Sequence, residues 1–554
     1  MNKLRRVVAL MMLLCLQACG GVGSGSDNSW LVFAPVPVEA TVMEGTSAEL
    51  LVTANSTRTI SETLYIKILD SQAVTTGTAD LSEVTSTQFV AHMMLSPTLP
   101  VGVHEGRLQV WLYTDPEMTK PYDGSPWSVP YKITVGARRT VHRLLADRRA
   151  LAFTALPNPA ASRLSGVINI SDNLGKTTAW SAVSSQPWLT VTPSGKTRDG
   201  ANVLSLTADP ATLPANVISY ATVTVSSTDN SVVNHESIRV GVWKGSTNPV
   251  PHALEIVSYE NIADQAAPFI YSHTYLGSTI DVVHAYSGGV VATLDAGPGV
   301  TLGKMATSSD GKRLFVTDWS STSVIVFDLV NRTKLATWPV AGVVYDDTPI
   351  QYLRPNGIEV LAVGVRMMSA ATGEAYGAQL SEPVFAMVAN AQGGTLYSIS
   401  PFEILYKWSL DFIDYGGIGL TVDKTLERRA DYGDGFLIGL DLSLSPDSSQ
   451  VYSYRTRAST VDFSLLGELP SVDIDSDFFD PVLRFVSVGA DGRVYGVYSG
   501  DSMVVMSPTG AKLARLTTTR GFGRPVVSSD GLVCMVSEGP FDVSPRLRIE
   551  PILP

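Results

Sequence analysis

Histidine and cysteine are scarce in this chain, and where they fall excludes more than how few there are. The histidines are His92, His104, His142, His235, His252, His273 and His284, so none lies between residue 285 and the end. Everything after His284 therefore lacks the commonest general base and the ligand on which zinc and iron sites lean. Of three cysteines, Cys15 and Cys19 sit near the start, and only Cys534, in the alternating run GLVCMVS, could belong to a folded core. A mature chain with one such cysteine has no internal disulfide, so its stability must come from burial. Charged residues make up 17% of the sequence against 45% hydrophobic, enough apolar material for two or three domains. The formal charge is −12, which opposes a nucleic-acid role because phosphate binding needs clustered lysine and arginine. No nucleophile elbow and no phosphate-binding loop occurs.

Long hydrophobic runs are also missing. The best, VVALMMLLCL at 7–16, falls short of the ~20 residues that span a bilayer and follows Lys3, Arg5 and Arg6. Basic start, apolar run and the close Leu16-Gln17-Ala18-Cys19 describe a signal peptide at 1–18. The last four residues resemble the lipobox of bacterial lipoproteins. That resemblance implies a diacylglycerol on the Cys19 thiol, and Gly20, not Asp, after it implies the outer membrane. Losing the leader would take the formal charge to −15. Residues 19–29, with GGVGSGSDNS, read as a flexible tether between lipid and fold.

From 30 to 135 short alternating strands (AELLVTA, ETLYIKIL, EGRLQVWLYT, VPYKITV) alternate with polar turns and no helical period. Spacing of this kind predicts an immunoglobulin-like sandwich. Residues 136–150, with five arginines in GARRTVHRLLADRR, read as a basic linker with a solvated face. A second module, 151–245, carries WSAVSSQPWLTVTPSGKT and SYATVTVSS. Trp188-Leu189 opening a strand, a turn at Ser194-Gly195 and Tyr220 before a Thr/Val strand resemble the BACON family of sandwich domains. The first module reads as a more diverged relative of it. Family members are often carbohydrate-associated, and Trp180 and Trp188 are the candidate sugar-stacking platform, because an indole face covers the apolar face of a sugar ring. Against this stands a core role for either tryptophan.

The largest region is built on one repeated unit, ATSSDGKRLFVTDWSSTSVIVFDLVNRTKLATWPV at 306–340: turn, strand, turn, strand, turn, closing strand. Comparable turns fall at Asn356, Gly394, Asp447, Asp491 and Asp530, in steps of 46, 38, 53, 44 and 39 from Asp310. An earlier copy at 269–297 shares the closing strand, VVATL against KLATW, which makes seven copies. Units of ~40 to 50 residues indicate a β-propeller, which removes open sheet edges by closing on itself. The segment at 253–257 or the last strand at 546–553 would complete a shared blade. DGKRLFVTD, SVIVFDL and KLATW resemble the YVTN family of bacterial propellers and, more loosely, WD-type repeats, whose Gly-His dipeptide is missing. The fold expected is therefore all-β: two immunoglobulin-like β-sandwich domains followed by a seven-bladed C-terminal propeller at 253–554.

Chemistry in the ring falls to carboxylates. Asp346 and Asp347, and Asp431 with Asp434 in DYGDGF, sit in insertions between blades and are candidate ligand-binding residues. Asp473, Asp475 and Asp477 alternate like a calcium loop, but Phe478 stands where glycine belongs and Arg484 where the closing glutamate belongs. Two functions follow. The first is a non-catalytic envelope lipoprotein, without a cofactor, whose sandwiches recognise carbohydrate and whose propeller presents a platform for a ligand or an envelope protein. The alternative is a propeller hydrolase, lactonase or glycan-cleaving, using loop carboxylates with calcium. The lipid assignment is directly testable: Cys19→Ala should move the mature protein from the membrane fraction to the soluble one, and persistence in washed membranes would overturn it.

Overall fold

A computed structural model of the chain describes residues 30–44, 48–59, 63–70, 72–96, 98–136, 141–198, 200–390, 394–400, 404–413, 417–426, 441–453, 456–469, 483–489, 491–498, 502–517, 522–538 and 545–552. The segments expected as leader and tether, with Cys19, and Asp431, Asp434, Asp473, Asp475 and Asp477 lie outside these residues. The protein is all-β. Its only helical elements among the described residues are two 3₁₀ turns, Pro159–Ala161 and Pro355–Gly357. The chain divides into two compact units, residues 1–140 with 413–419 and residues 141–412 with 420–554.

In the first unit two four-stranded sheets close on one core. One runs Leu31–Ala34, Glu49–Ser56, Gln88–Leu95, Thr75–Thr85 in space; the other runs Val38–Met43, Trp127–Gly136, Gly102–Tyr113, Tyr65–Asp70. Alternation sends Leu50, Val52, Leu108, Val110, Ile133 and Val135 inward. The chain crosses between sheets at its start, so Val38–Met43 pairs in parallel with the last strand.

The second unit begins with a sandwich of the same strand order. Leu144–Ala146, Ser165–Asp172, Val203–Ala208 and Leu189–Val191 make one sheet. The other holds Ala150–Ala155, Glu236–Lys244, Ile218–Ser226, Ala179–Ser184 and Ser194–Lys196. Again the crossing strand, Ala150–Ala155, is parallel to the last one. Two expectations need correction here. The stretch read as a linker carries a paired strand, Leu144–Ala146, and a buried His142 hydrogen-bonded to Asp172, so from 141 onward it belongs to the sandwich. Ser194-Gly195, read as a turn, is an edge strand against Trp180. A Cβ on Gly195 would come within 2.3 Å of the Trp180 ring, so the glycine is there for close approach.

Among the described residues the rest of the unit forms seven four-stranded sheets. Their first strands are Glu260–Ala263, Leu302–Thr307, Ile350–Leu353, Ala386–Ala389, Leu442–Leu444, Leu483–Val488 and Phe522–Val527, taken here as sheets one to seven. Each first strand neighbours the next, and the last neighbours the first, so they wall a central channel in a β-propeller. Sheet seven is shared between the ends of the region: His252–Val257 pairs antiparallel with Arg546–Pro551 as its outer strand, which joins the two ends of the ring. The polar turns read from the sequence are visible as built. Ser308 Oγ donates to Asp310 at 2.6 Å and Ser528 Oγ to Asp530 at 2.5 Å, while the same carboxylates accept the N–H of Lys312 and Leu532. Between the sheets Phe315 and Phe327 are fully buried, each contributing ~1.5 to 3 kcal/mol by burial.

The second sandwich is docked on the face of the ring that carries these turns. Glu236, with no solvent exposure, receives both terminal nitrogens of Arg354 at 2.6 and 3.0 Å and lies 3.5 Å from Arg149 Nε. Arg149 continues to Glu359 at 3.0 Å, and Glu359 pairs with Arg313. Burial works against the Arg149 guanidinium, but Glu236, Asp310 and Glu359 outweigh it and hold its pKa above the usual value. Asp530, equally buried, accepts from Thr154 Oγ1 at 2.5 Å and Tyr286 Oη at 2.6 Å. Around these, Leu156 and Trp243 of the sandwich share an apolar cluster with Ile270, Val283 and Ile549 of the ring. Removing one partner from a buried charged cluster leaves the others uncompensated at ~3 to 5 kcal/mol. Glu236→Ala should therefore lower the denaturation midpoint of this unit by an equivalent amount, with Glu236→Ala/Arg354→Ala costing less than the sum of the singles. A loss under ~1 kcal/mol in equilibrium unfolding would show that the network does not hold the junction.

Candidate functional site

The channel has two mouths. At the sandwich side a cavity of about 440 Å³ is lined by first-strand residues and by Asp147 and Arg148 of the sandwich. At the far side a cavity of about 270 Å³ opens among Tyr259, Glu260, Lys304, Asp347, Asp441 and Arg524. Met305 and Gln351 line both, so they mark the waist between them. The sandwich-side cavity is larger, but it is walled by the docked domain, and the far mouth is the one that gathers charge.

That charge is arranged by the backbone. Sheet two begins Leu302-Gly303-Lys304 and sheet seven Phe522-Gly523-Arg524, and in both the register slips, between Leu302 and Met305 and between Phe522 and Pro525. Such bulges re-aim a side chain, and here each brings a cation to the channel. The glycines are required by the same approach: a Cβ on Gly303 would lie 2.5 Å from Thr317 Oγ1, and one on Gly523 would lie 2.0 Å from Ser537 Oγ. Lys304 Nζ donates to Glu260 Oε2 at 2.7 Å, and Arg524 lies 2.9 Å from Asp441 Oδ1. Asp441 also accepts the N–H of Leu442 at 3.0 Å and of Val486 at 3.1 Å, so it ties sheets five, six and seven together.

Burial opposes charge on Glu260, yet Lys304 and Arg524 prevail and hold its carboxyl below the usual range; Glu260 in turn raises the Lys304 ammonium. At the other pair burial dominates and pushes the Asp441 carboxyl up against the pull of Arg524, whose own pKa Asp441 raises. Glu260 and Asp441 are thus each tied to a cation, and the pairs join neighbouring sheets. Phe385, 44% exposed, lines this mouth; Tyr275, 53% exposed, lies 4.9 Å from the ring of Tyr259, which lines it, and Tyr345, 62% exposed, stands two residues before the lining Asp347.

Of the residues expected from the sequence, Asp347 lines this mouth, and the Asp346 carbonyl lies where a Cβ on Gly303 would meet it at 2.9 Å. Trp180 is corrected: only 3% exposed in the sandwich core, its ring has no face left for a sugar. Trp188 is half-buried against the same core. Asp431, Asp434, Asp473, Asp475 and Asp477 fall outside the described residues, among which no group of three or more His, Cys, Asp or Glu side chains is placed to hold a metal. Cys534 is buried, and burial pushes its thiol pKa up. Sequence reading missed Glu260, Lys304, Asp441 and Arg524. The signal available was the repeated apolar-Gly-cation triplet at the start of two copies.

No protein family and no curated protein matches this chain by sequence. Solved structures do resemble it. The β-propeller domain of Myceliophteria thermophila Cps50 (Swd1) is 11% identical with a TM-score of 0.42, covering 55% of this chain and 100% of that one. The WD40 repeats of RRP9 are 12% identical with a TM-score of 0.42, covering 55% and 98%. Kuenenia stuttgartiensis hydrazine synthase is 13% identical with a TM-score of 0.41, covering 54% and 97%. Likeness at this level carries no function across, and the ring stands on its own strand pairing.

The pair at Asp441 makes a pH-dependent expectation. Without Arg524 its buried carboxyl would titrate higher still in the folded state than in the unfolded one. Stability tied to such a group is present below the unfolded pKa and lost as pH rises through the folded one. Arg524→Ala should therefore be destabilised by about 1 to 3 kcal/mol at pH 7.5 and much less at pH 4. Equal losses at both pH values in thermal melts would contradict it.

Proposed function

We propose that the protein is a non-catalytic cell-envelope lipoprotein, anchored at the outer membrane through Cys19, in which a seven-bladed propeller presents a binding platform for an envelope protein. The two sandwiches are immunoglobulin-like, a reading supported by their shared strand order and by the parallel pairing of the crossing strand in each. The observation that carries the platform is the far mouth: exposed Phe385 lines it, exposed Tyr275 packs on its Tyr259, exposed Tyr345 is two residues from its Asp347, and its described cations are ion-paired. Aromatic residues around a desolvated centre supply most of the binding energy at protein interfaces. Glu260 and Asp441 each hold a cation, an arrangement that favours recognition over proton transfer and so favours this reading over a hydrolase.

A photo-crosslinking residue placed in cells at Tyr275, Tyr345 or Phe385 should give one discrete adduct. The same residue at Leu513, 53% exposed on the outer strand of sheet six, should give none. Tyr345→Ala/Phe385→Ala should abolish the adduct formed from Tyr275. Identical patterns from the mouth and from Leu513, or no adduct from the mouth, would overturn the platform.

A further inference from the structure

A third cavity, of about 370 Å³, lies apart from the channel where the second sandwich meets sheets one and two. Its sandwich wall is the strand pair carrying Tyr220, Thr222 and Arg239, with Thr222 opposite Arg239 in register, and Ser185 beside them. Its ring wall brings Lys312 and Arg332 from two turns of sheet two. Gly241 lets the two walls approach, since a Cβ there would fall 1.9 Å from the Ala266 carbonyl oxygen.

Three cations therefore border one cavity in a protein of net charge −12. Arg239 lies over the Tyr220 ring at 4.3 Å and donates one N–H to the Gly311 carbonyl at 2.7 Å. Arg332 lies 5.8 Å from the Phe269 ring and reaches the Val291 carbonyl at 3.4 Å. Among the described residues none of Arg239, Lys312 and Arg332 forms an ion pair. Lys312 has Asp310 in its field, but that carboxylate is held by Ser308 and by the Lys312 N–H. One carboxylate, Asp264, lines the cavity; burial pushes its pKa up against the pull of Arg239, and it accepts from Tyr271 Oη at 2.5 Å and the Ala266 N–H at 2.7 Å. Asp328, also in the field of Arg239, accepts from Val330 and Asn331 of its own turn. The cations lining the cavity thus outnumber its lining carboxylates three to one, and the excess positive potential favours an anion that enters.

We propose that this cleft binds a small polyhydroxylated anion, a sugar carrying a carboxylate or a phosphate. Arg332 and Lys312 meet the anionic group, for which a guanidinium fork and an ammonium are matched. The Ser185 and Thr222 hydroxyls face the polyol, as groups that both donate and accept. This site is independent of the far mouth, and neither needs the other.

The test is titration calorimetry on the full mature chain with glucuronate, glucose 6-phosphate and glucose. At least one of the two anions should bind and raise the melting temperature, and the tighter of them identifies the anionic group; glucose should do neither. Affinity should fall with added salt. It should drop at least tenfold in Arg332→Gln and in Lys312→Gln, with both unliganded variants melting like the parent because these side chains are exposed. Binding of neither anion, equal binding of glucose, or binding unchanged by both substitutions would overturn the proposal.

Discussion

A carboxylate with no contact to water fixes how this unit is assembled. Glu236 sits between Arg149 and Arg354, and a buried charge of this kind is tolerable only while its partners stay in place. Since Arg149 and Glu236 come from the sandwich while Arg354 and Glu359 come from sheet three, the network exists only in the docked arrangement. Asp530 repeats the logic at sheet seven, where Thr154 of the sandwich and Tyr286 of sheet one meet on one oxygen. These contacts decide which mouth of the channel the second sandwich walls.

Much of the ring could be read from the chain because its blades repeat, and repeated turns have a physical reason to look alike. A Ser-x-Asp turn needs a hydroxyl and a carboxylate at fixed spacing to satisfy its own backbone, so Asp310, Asp447 and Asp530 could be aligned by eye. What could not be read is that Asp530 does a second job with its other oxygen. Nothing local distinguishes a turn aspartate that also receives Thr154 across 376 residues from one that does not. Arg149 was hidden for a related reason: an arginine in an unpatterned basic stretch looks solvated unless its partners, here 87 and 210 residues away, are known.

Trp180 shows a different limit. In an alternating strand the two faces exchange with a shift of one residue, so a tryptophan can be assigned to core or surface only when register is known. Its neighbours settle the matter: Ser181 and Val183 take the outer face, and Ala182 goes inward with Trp180. The triplets Leu302-Gly303-Lys304 and Phe522-Gly523-Arg524 were legible but unread, because a glycine in a strand signals a bulge only once the strand itself is placed.

Charge at the far mouth and charge at the junction cleft obey opposite rules, and the contrast separates architecture from recognition. Lys304 and Arg524 each have a carboxylate within 3 Å, so those pairs are nearly neutral to the outside and contribute mainly by tying neighbouring sheets together. Any affinity at that mouth must then come from its aromatic rim, which makes the expected partner a surface with apolar side chains to bury. Arg239, Lys312 and Arg332 lie in an acidic protein that had carboxylates to spare for pairing, yet the nearest ones are turned to other donors. A fold that leaves three cations unpaired around a cavity has kept their electrostatic attraction available for something that arrives from solution.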